Sequence, residues 1–175
     1  SAGFYSVHLD DDNIDVELTA TPRTGFHKYI FRQDGRSNIV VDLTHRDKLK
    51  EGDIKVINNR TVYLYRRSEA WARDQRLYAI MLFSKPFADT TIQQNGKAAF
   101  VFETRGGEEL LVKVALSAVG YDGAMKNMKA ELDHWDFEKT KHDASELWNN
   151  ELKKIMVTDK DKDKLTVFYT SLYHC

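Results

Sequence analysis

The sequence predicts a mainly β protein, an antiparallel β-sandwich followed by two to three α-helices. Two patterns carry this reading. Through the first two thirds, apolar and polar residues alternate in short runs separated by glycine-bearing turns, with no helical stripe between them. Near Gly120 the apolar spacing changes from that of a strand to that of a helix.

The elements follow in order. Tyr5, Val7 and Leu9 alternate, and Asp10 to Asn13 makes a polar turn. Ile14, Val16, Leu18 and Ala20 alternate with Asp15, Glu17 and Thr19, as in a half-buried strand. Pro22 lacks a ladder donor and Gly25 relaxes the backbone, so a turn is expected across both before Phe26 to Phe31 resumes as an aromatic-rich strand. Ile39, Val41 and Leu43 form the next run. Val62 and Leu64 follow, with Tyr63 and Tyr65 on the opposite face. Leu77 to Phe83 is apolar on both faces, which marks a central strand buried between layers. Phe100 and Phe102, then Leu110, Val112, Val114 and Leu116, complete the series. Asp34-Gly35, Asn95-Gly96 and Gly106-Gly107 supply turn signals.

Beyond Gly120, Ala124, Met125, Met128 and Leu132 share one helical face. Phe137, Ala144, Leu147, Trp148, Leu152 and Ile155 form a longer stripe with Asp136 as its N-cap. After the solvated run Asp159 to Lys164 comes a third stripe of Leu165, Phe168, Tyr169 and Leu172. No cap, glycine or polar tail follows it, so it is expected to pack on something larger, and the chain reads as a piece of a longer protein.

Hydrophobic residues make up 42% of the 175 and charged residues 30%, an ordinary globular balance able to bury a sizeable core. The net charge of −1 offers no electrostatic case for nucleic acid or an anionic membrane. No apolar run approaches the roughly 20 residues of a membrane span. Cys175 alone cannot form an intrachain disulfide and reads as a small helix hydrophobe rather than a nucleophile.

Carboxylates are plentiful, 27 in all, but they fall on polar faces and read as solvated surface. Asp159, Asp161 and Asp163 have the opening of a calcium loop, yet Lys164 stands where its glycine is required and Thr170 where its bidentate glutamate is required. No metal site is therefore assigned. The six histidines lack metal-ligand spacing; His27, alternating with Tyr29 and Phe31, reads as a packed structural histidine, and His134 and His142 as surface groups flanking helix ends. One constellation suits a ligand: Tyr63, Tyr65, Arg66, Arg67 and Trp71 set aromatic rings beside guanidinium donors, as sugar recognition requires. Tyr65, Arg67 and Trp71 are its candidate substrate-binding residues. The alternative is an arginine-rich strand end closing the sandwich, with Trp71 covering the edge of the core.

The stretch Val16 to Phe31, read as E-L-T-A-T-P-R-x-G-F-H-x-Y-x-F from Glu17, resembles the non-catalytic β-sandwich domain of glycoside hydrolase family 92. Gly3-Phe-Tyr-Ser-Val-His-Leu-Asp-Asp11, Tyr65-Arg-Arg-Ser68, Trp71-Ala72 and Leu82-Phe-Ser-Lys-Pro-Phe87 resemble its strands. Val112-Lys-Val-Ala-Leu-Ser117, Gly123-Ala124 and Asn127-Met-Lys-Ala-Glu131 resemble its exit into helices, and Phe168-Tyr-Thr-Ser-Leu-Tyr-His174 the first helix of its catalytic domain.

The resemblance implies a bacterial, calcium-dependent exo-α-mannosidase, periplasmic or secreted, acting with inversion on mannose-containing glycans. It implies part of a galactose-mutarotase-like supersandwich over residues 1–119, linker helices over 120–157, and the first helix of a truncated all-helical domain over 158–175. The catalytic carboxylates and the calcium would belong to that helical domain, packed on the sandwich. No catalytic residue is assigned within these 175 residues, and the segment alone is expected to be inactive. The competing expectation is a stand-alone carbohydrate-binding or scaffold module without hydrolase activity.

Overall fold

The computed structural model describes residues 1–93 and 96–174; Asn95 and Cys175 lie outside the described residues. Its chain order is β1 (Phe4–Leu9), β2 (Ile14–Ala20), β3 (Thr24–Phe31), β4 (Gly35–Asp42), β5 (Lys48–Asn58), β6 (Thr61–Glu69), β7 (Gln75–Phe83), β8 (Asp89–Gln93), β9 (Lys97–Thr104) and β10 (Glu109–Ser117). Three helices follow: α1 (Tyr121–Glu131), α2 (Phe137–Leu152) and α3 (Lys162–Tyr173). The expected sandwich followed by helices is the fold observed.

Seven strands form one sheet in the order β1-β2-β3-β10-β7-β6-β5, and β4-β9-β8 form a second. Every pairing is antiparallel. The chain leaves the large sheet after β3 and again after β7, and β10 returns between β3 and β7. Between the sheets, Phe83, Phe87, Phe100 and Phe102 interlock with ring centroids 5.2–6.3 Å apart. Ile39, Val41, Val62, Met81, Leu110 and Val112 fill the space around them. Such offset and edge-on aromatic pairs add directional preference to the burial of apolar area.

The opposite face of the large sheet receives the helices. Ile80 and Ala115 pack against Ala124 and Met128 of α1. Phe26 packs against Leu132 and Phe137, at the end of α1 and the start of α2. Strand β7 therefore buries Ala79, Met81 and Phe83 on one side and Ile80 on the other, as its unbroken apolar run predicts. Asp136 caps α2, accepting a hydrogen bond of 2.9 Å from the Lys139 amide.

Several details differ from the sequence expectation. Gly25 is not a turn residue. The turn is confined to Thr21, Pro22 and Arg23, and Gly25 lies inside β3, paired with Ala20 and Val114. Strands β5 and β8 have no counterpart in the sequence reading: both are edge strands, mostly exposed, so neither face carries a clean apolar alternation. The stripe of α2 is buried only through Phe137, Thr140 and Ala144, while Leu147 is exposed and Ile155 lies past the helix end. His142 sits within α2 rather than at its end.

Gly123 lies where the first turn of α1 sits tight against Ser117 at the end of β10. A Cβ there would stand 2.4 Å from Ser117 Oγ and 3.2 Å from Ser117 Cβ. Gly to Ala within a helix ordinarily stabilises by about 1 kcal/mol; here the steric conflict reverses the sign. Gly123→Ala is expected to lower stability by about 1–2 kcal/mol in urea unfolding, and Ser117→Ala in the same chain to recover part of that loss.

Candidate functional site

The sheet topology divides the aromatic–arginine constellation. Tyr63, Tyr65 and Arg67 alternate along β6 with the inward-facing Val62, Leu64 and Ser68, and so face the helix side of the sheet. Arg66 faces the other way. Its guanidinium donates to the carbonyls of Leu43 (2.7 Å), His45 (3.2 Å) and Asp47 (3.3 Å) and to Ser68 Oγ (2.8 Å), bracing the segment after β4. Arg67 is engaged by Asp74 at 2.6 Å and Glu51 at 2.8 Å, which hold its guanidinium above its ordinary range. Trp71 lies in the turn after β6 and is fully exposed, so it does not cover the edge of the core. No ring packs against it among the described residues.

Tyr65 gains different neighbours. Its ring centroid lies 4.8 Å from that of Tyr78 on β7, and Tyr121, at the start of α1, lies 5.2 Å from Tyr78 and 4.8 Å from Tyr63. Tyr78 and Tyr121 have no sequence signal linking them to Tyr65, because strand register and helix placement create the proximity.

His27 behaves as a packed histidine: Nδ1 lies 3.1 Å from the Tyr29 hydroxyl, and burial depresses its pKa. Asp159 and Asp161 are occupied in starting α3. Asp161 accepts from the Asp163 and Lys164 amides, and Asp159 accepts from the Asp161 amide. Among the described residues, no three His, Cys, Asp or Glu side chains gather as metal ligands.

The helices are fastened to the sheet by charge, a feature the alternation conceals. Lys113 belongs to the polar half of the β10 pattern, yet it is buried. Its ammonium donates to the Leu132 carbonyl at 3.0 Å and lies 4.1 Å from the Trp135 ring centroid. Burial lowers its pKa, opposed by the charge of Asp133. Lys28, on β3, lies 2.7 Å from Glu17 and 2.8 Å from Glu138 of α2. Burial alone would lower its pKa, but the two carboxylates outweigh that and raise it. Glu131, at the end of α1, accepts from the Thr21 hydroxyl at 2.7 Å, the Arg23 amide at 2.9 Å and Arg23 Nε.

At the free edge of the sheet an open groove of about 1010 Å³ lies between β1–β2 and α2–α3. Tyr5, Leu18, Leu147, Trp148, Tyr169 and Tyr173 line it. Helix α3 buries none of its residues; it is held by the Trp148 and Tyr173 rings, 4.6 Å apart, and by the Tyr169 hydroxyl at the Val157 amide.

Residues 1–117 match the family model described as the glycosyl hydrolase family 92 N-terminal domain, and residues 123–175 match that of the family 92 catalytic domain. A family GH92 α-mannosidase from Bacteroides thetaiotaomicron superposes with a TM-score of 0.86 at 27% identity, covering 98% of this chain and 26% of its own. The same enzyme has been solved in complex with mannoimidazole, at 27% identity, with a TM-score of 0.86 and 98% and 25% coverage. A family GH92 inverting mannosidase of the same species matches with a TM-score of 0.85, 23% identity and 98% and 25% coverage. This chain thus spans about a quarter of the length of the structures it resembles. No curated protein matches it.

The Glu131 clasp has a pH signature. Burial would raise the carboxyl pKa, but the hydrogen bonds from Thr21 and Arg23 outweigh it and leave it below its ordinary value of 4.5. A carboxylate with a depressed folded pKa stabilises above its unfolded value and loses that contribution as pH falls through the folded one. Glu131→Gln is expected to cost about 1–2 kcal/mol in urea unfolding at pH 7, with the gap to the parent narrowing below pH 4.5. A gap independent of pH would contradict the assignment.

Proposed function

This chain belongs to glycosyl hydrolase family 92, and from that premise we propose that it is the β-sandwich and first helical segments of an exo-α-mannosidase. The whole protein would remove terminal mannose from α-linked glycans, including α-1,2-linked ones, with inversion. The observation carrying this reading is the succession of the N-terminal and catalytic family models along one chain, whose fold superposes over 98% of its length on 26% of a GH92 α-mannosidase.

In this proposal the sandwich supports catalysis without supplying the reacting groups. Glycoside hydrolysis needs two carboxyl groups placed across the scissile bond, one of them held protonated at working pH. Here Glu131, a carboxylate whose side chain is only 10% exposed, is tied to Thr21 and Arg23, and its pKa moves down, the wrong direction for a general acid. The acid, the base and a calcium ion would come from a helical domain beyond the sandwich. That domain would pack against the groove between β1–β2 and α2–α3, where Tyr5, Leu147 and Trp148 are exposed, and against α3, whose Leu165, Phe168 and Leu172 are only half-buried outside that lining. A bacterial periplasmic or secreted location accords with glycan substrates; no helix among the described residues is long and apolar enough to cross a membrane.

Mannose release from α-1,2-mannobiose, assayed for the whole protein and for residues 1–175 with calcium and with chelator, tests the proposal. Release by the whole protein alone, abolished by chelator, is the expected result. Release by the 175-residue segment would contradict the placement of the reacting groups, and release by neither would favour a binding or scaffold module.

A further inference from the structure

The helix-side face of β5, β6 and β7 carries a concentration of groups that packing does not account for. Tyr63 and Tyr65 on β6, Tyr78 on β7 and Tyr121 on α1 form one continuous cluster, with ring centroids 4.8–5.2 Å apart. Each keeps part of its surface exposed. Among the described residues, none of the four phenol hydroxyls has a protein hydrogen-bond partner, unlike Tyr29 and Tyr169, whose hydroxyls do.

Strand register extends the cluster onto β5. Asp53 lies opposite Tyr65 and Lys55 opposite Tyr63, and residues directly opposite one another project on the same face. Both are exposed. Among the described residues neither makes an ion pair, whereas Arg67, one register step along, is held by Asp74 and Glu51. The face thus offers four phenol hydroxyls, one carboxylate and one ammonium, all available, around aromatic rings.

We propose that this face, centred on Tyr65 and Tyr78, binds a mannose-containing glycan. Ring edges and faces would take the C–H surface of a pyranose, and the hydroxyls, Asp53 and Lys55 would exchange hydrogen bonds with its hydroxyl groups. A packing role for the tyrosines would require only the rings; Tyr121 and Tyr63 do help seat α1 beside Ile80. What packing leaves unexplained is the set of unused polar groups on the same face. The choice of mannose over another sugar rests on the family reading above.

The test is affinity electrophoresis of the whole protein through gels containing yeast mannan, comparing wild type, Tyr65→Ala with Tyr78→Ala, and Asp53→Ala with Lys55→Ala. Retardation of the wild type and a dissociation constant about tenfold higher in the tyrosine variant, the loss expected for two aromatic contacts, support the proposal. No retardation of the wild type overturns it, and so does equal retardation of wild type and tyrosine variant. If the tyrosine variant has a lowered thermal midpoint, the Asp53/Lys55 variant decides, because both residues are exposed and unpaired: undiminished retardation overturns the proposal and a several-fold loss supports it. Tyrosine-dependent retardation by a protein that releases no mannose would sink the catalytic reading while leaving this one standing; the reverse pattern would sink only this one.

Discussion

The two central strands of the large sheet, β7 and β10, are buried from both sides, and the rest of the chain is arranged to keep them so. One face is closed by the three-stranded sheet through interlocked phenylalanines. The other is closed by α1 and the start of α2, through Ala124, Met128, Leu132 and Phe137. Uncovering either face would expose large apolar side chains at about 25 cal/mol per Å². The helices are therefore not appendages of a finished sandwich; they complete its second core.

Apolar burial alone would leave the helices free to slide along the sheet. Directional contacts define where they land. Lys113 reaches the final carbonyl region of α1 through Leu132, Lys28 reaches Glu138 in the first turn of α2, and Glu131 gathers Thr21 and Arg23 from the β2–β3 turn. Buried charge is costly unless hydrogen-bonded or paired, and both lysines meet that condition. The tight approach at Gly123 sets the distance and these contacts set the register. The same docking places Tyr121 against Tyr63 and Tyr78, so the tyrosine face depends on the helix position.

Much of the architecture was legible in the sequence because burial imposes periodicity. Ile14 to Leu18, Leu77 to Phe83 and Leu110 to Val114 each reveal their strands and, for β7, its central position. The edge strands β5 and β8 were not legible, since β8 buries no residue and β5 buries only Ile54, too few apolar positions to show a period. Lys113 looked like a solvent-facing residue of an amphipathic strand; its burial depends on a helix arriving from elsewhere in the chain. The proposed ligand residues divided in the same way. Trp71, beside Arg67 in sequence, stands alone in a turn, while Tyr78 and Tyr121 reach the cluster only through register and docking. The family was readable because its wording spans Val16 to Phe31 and recurs in order along the chain.

The central claim is that sandwich and first helices form one cooperative unit while α3 does not belong to it. Native-state amide hydrogen exchange measures this directly. The account predicts that the slowest amides of α1 share one opening free energy and one denaturant dependence with those of β7 and β10, while α3 exchanges far faster. Opening of α1 at a distinctly lower free energy, with β10 still protected, would contradict it.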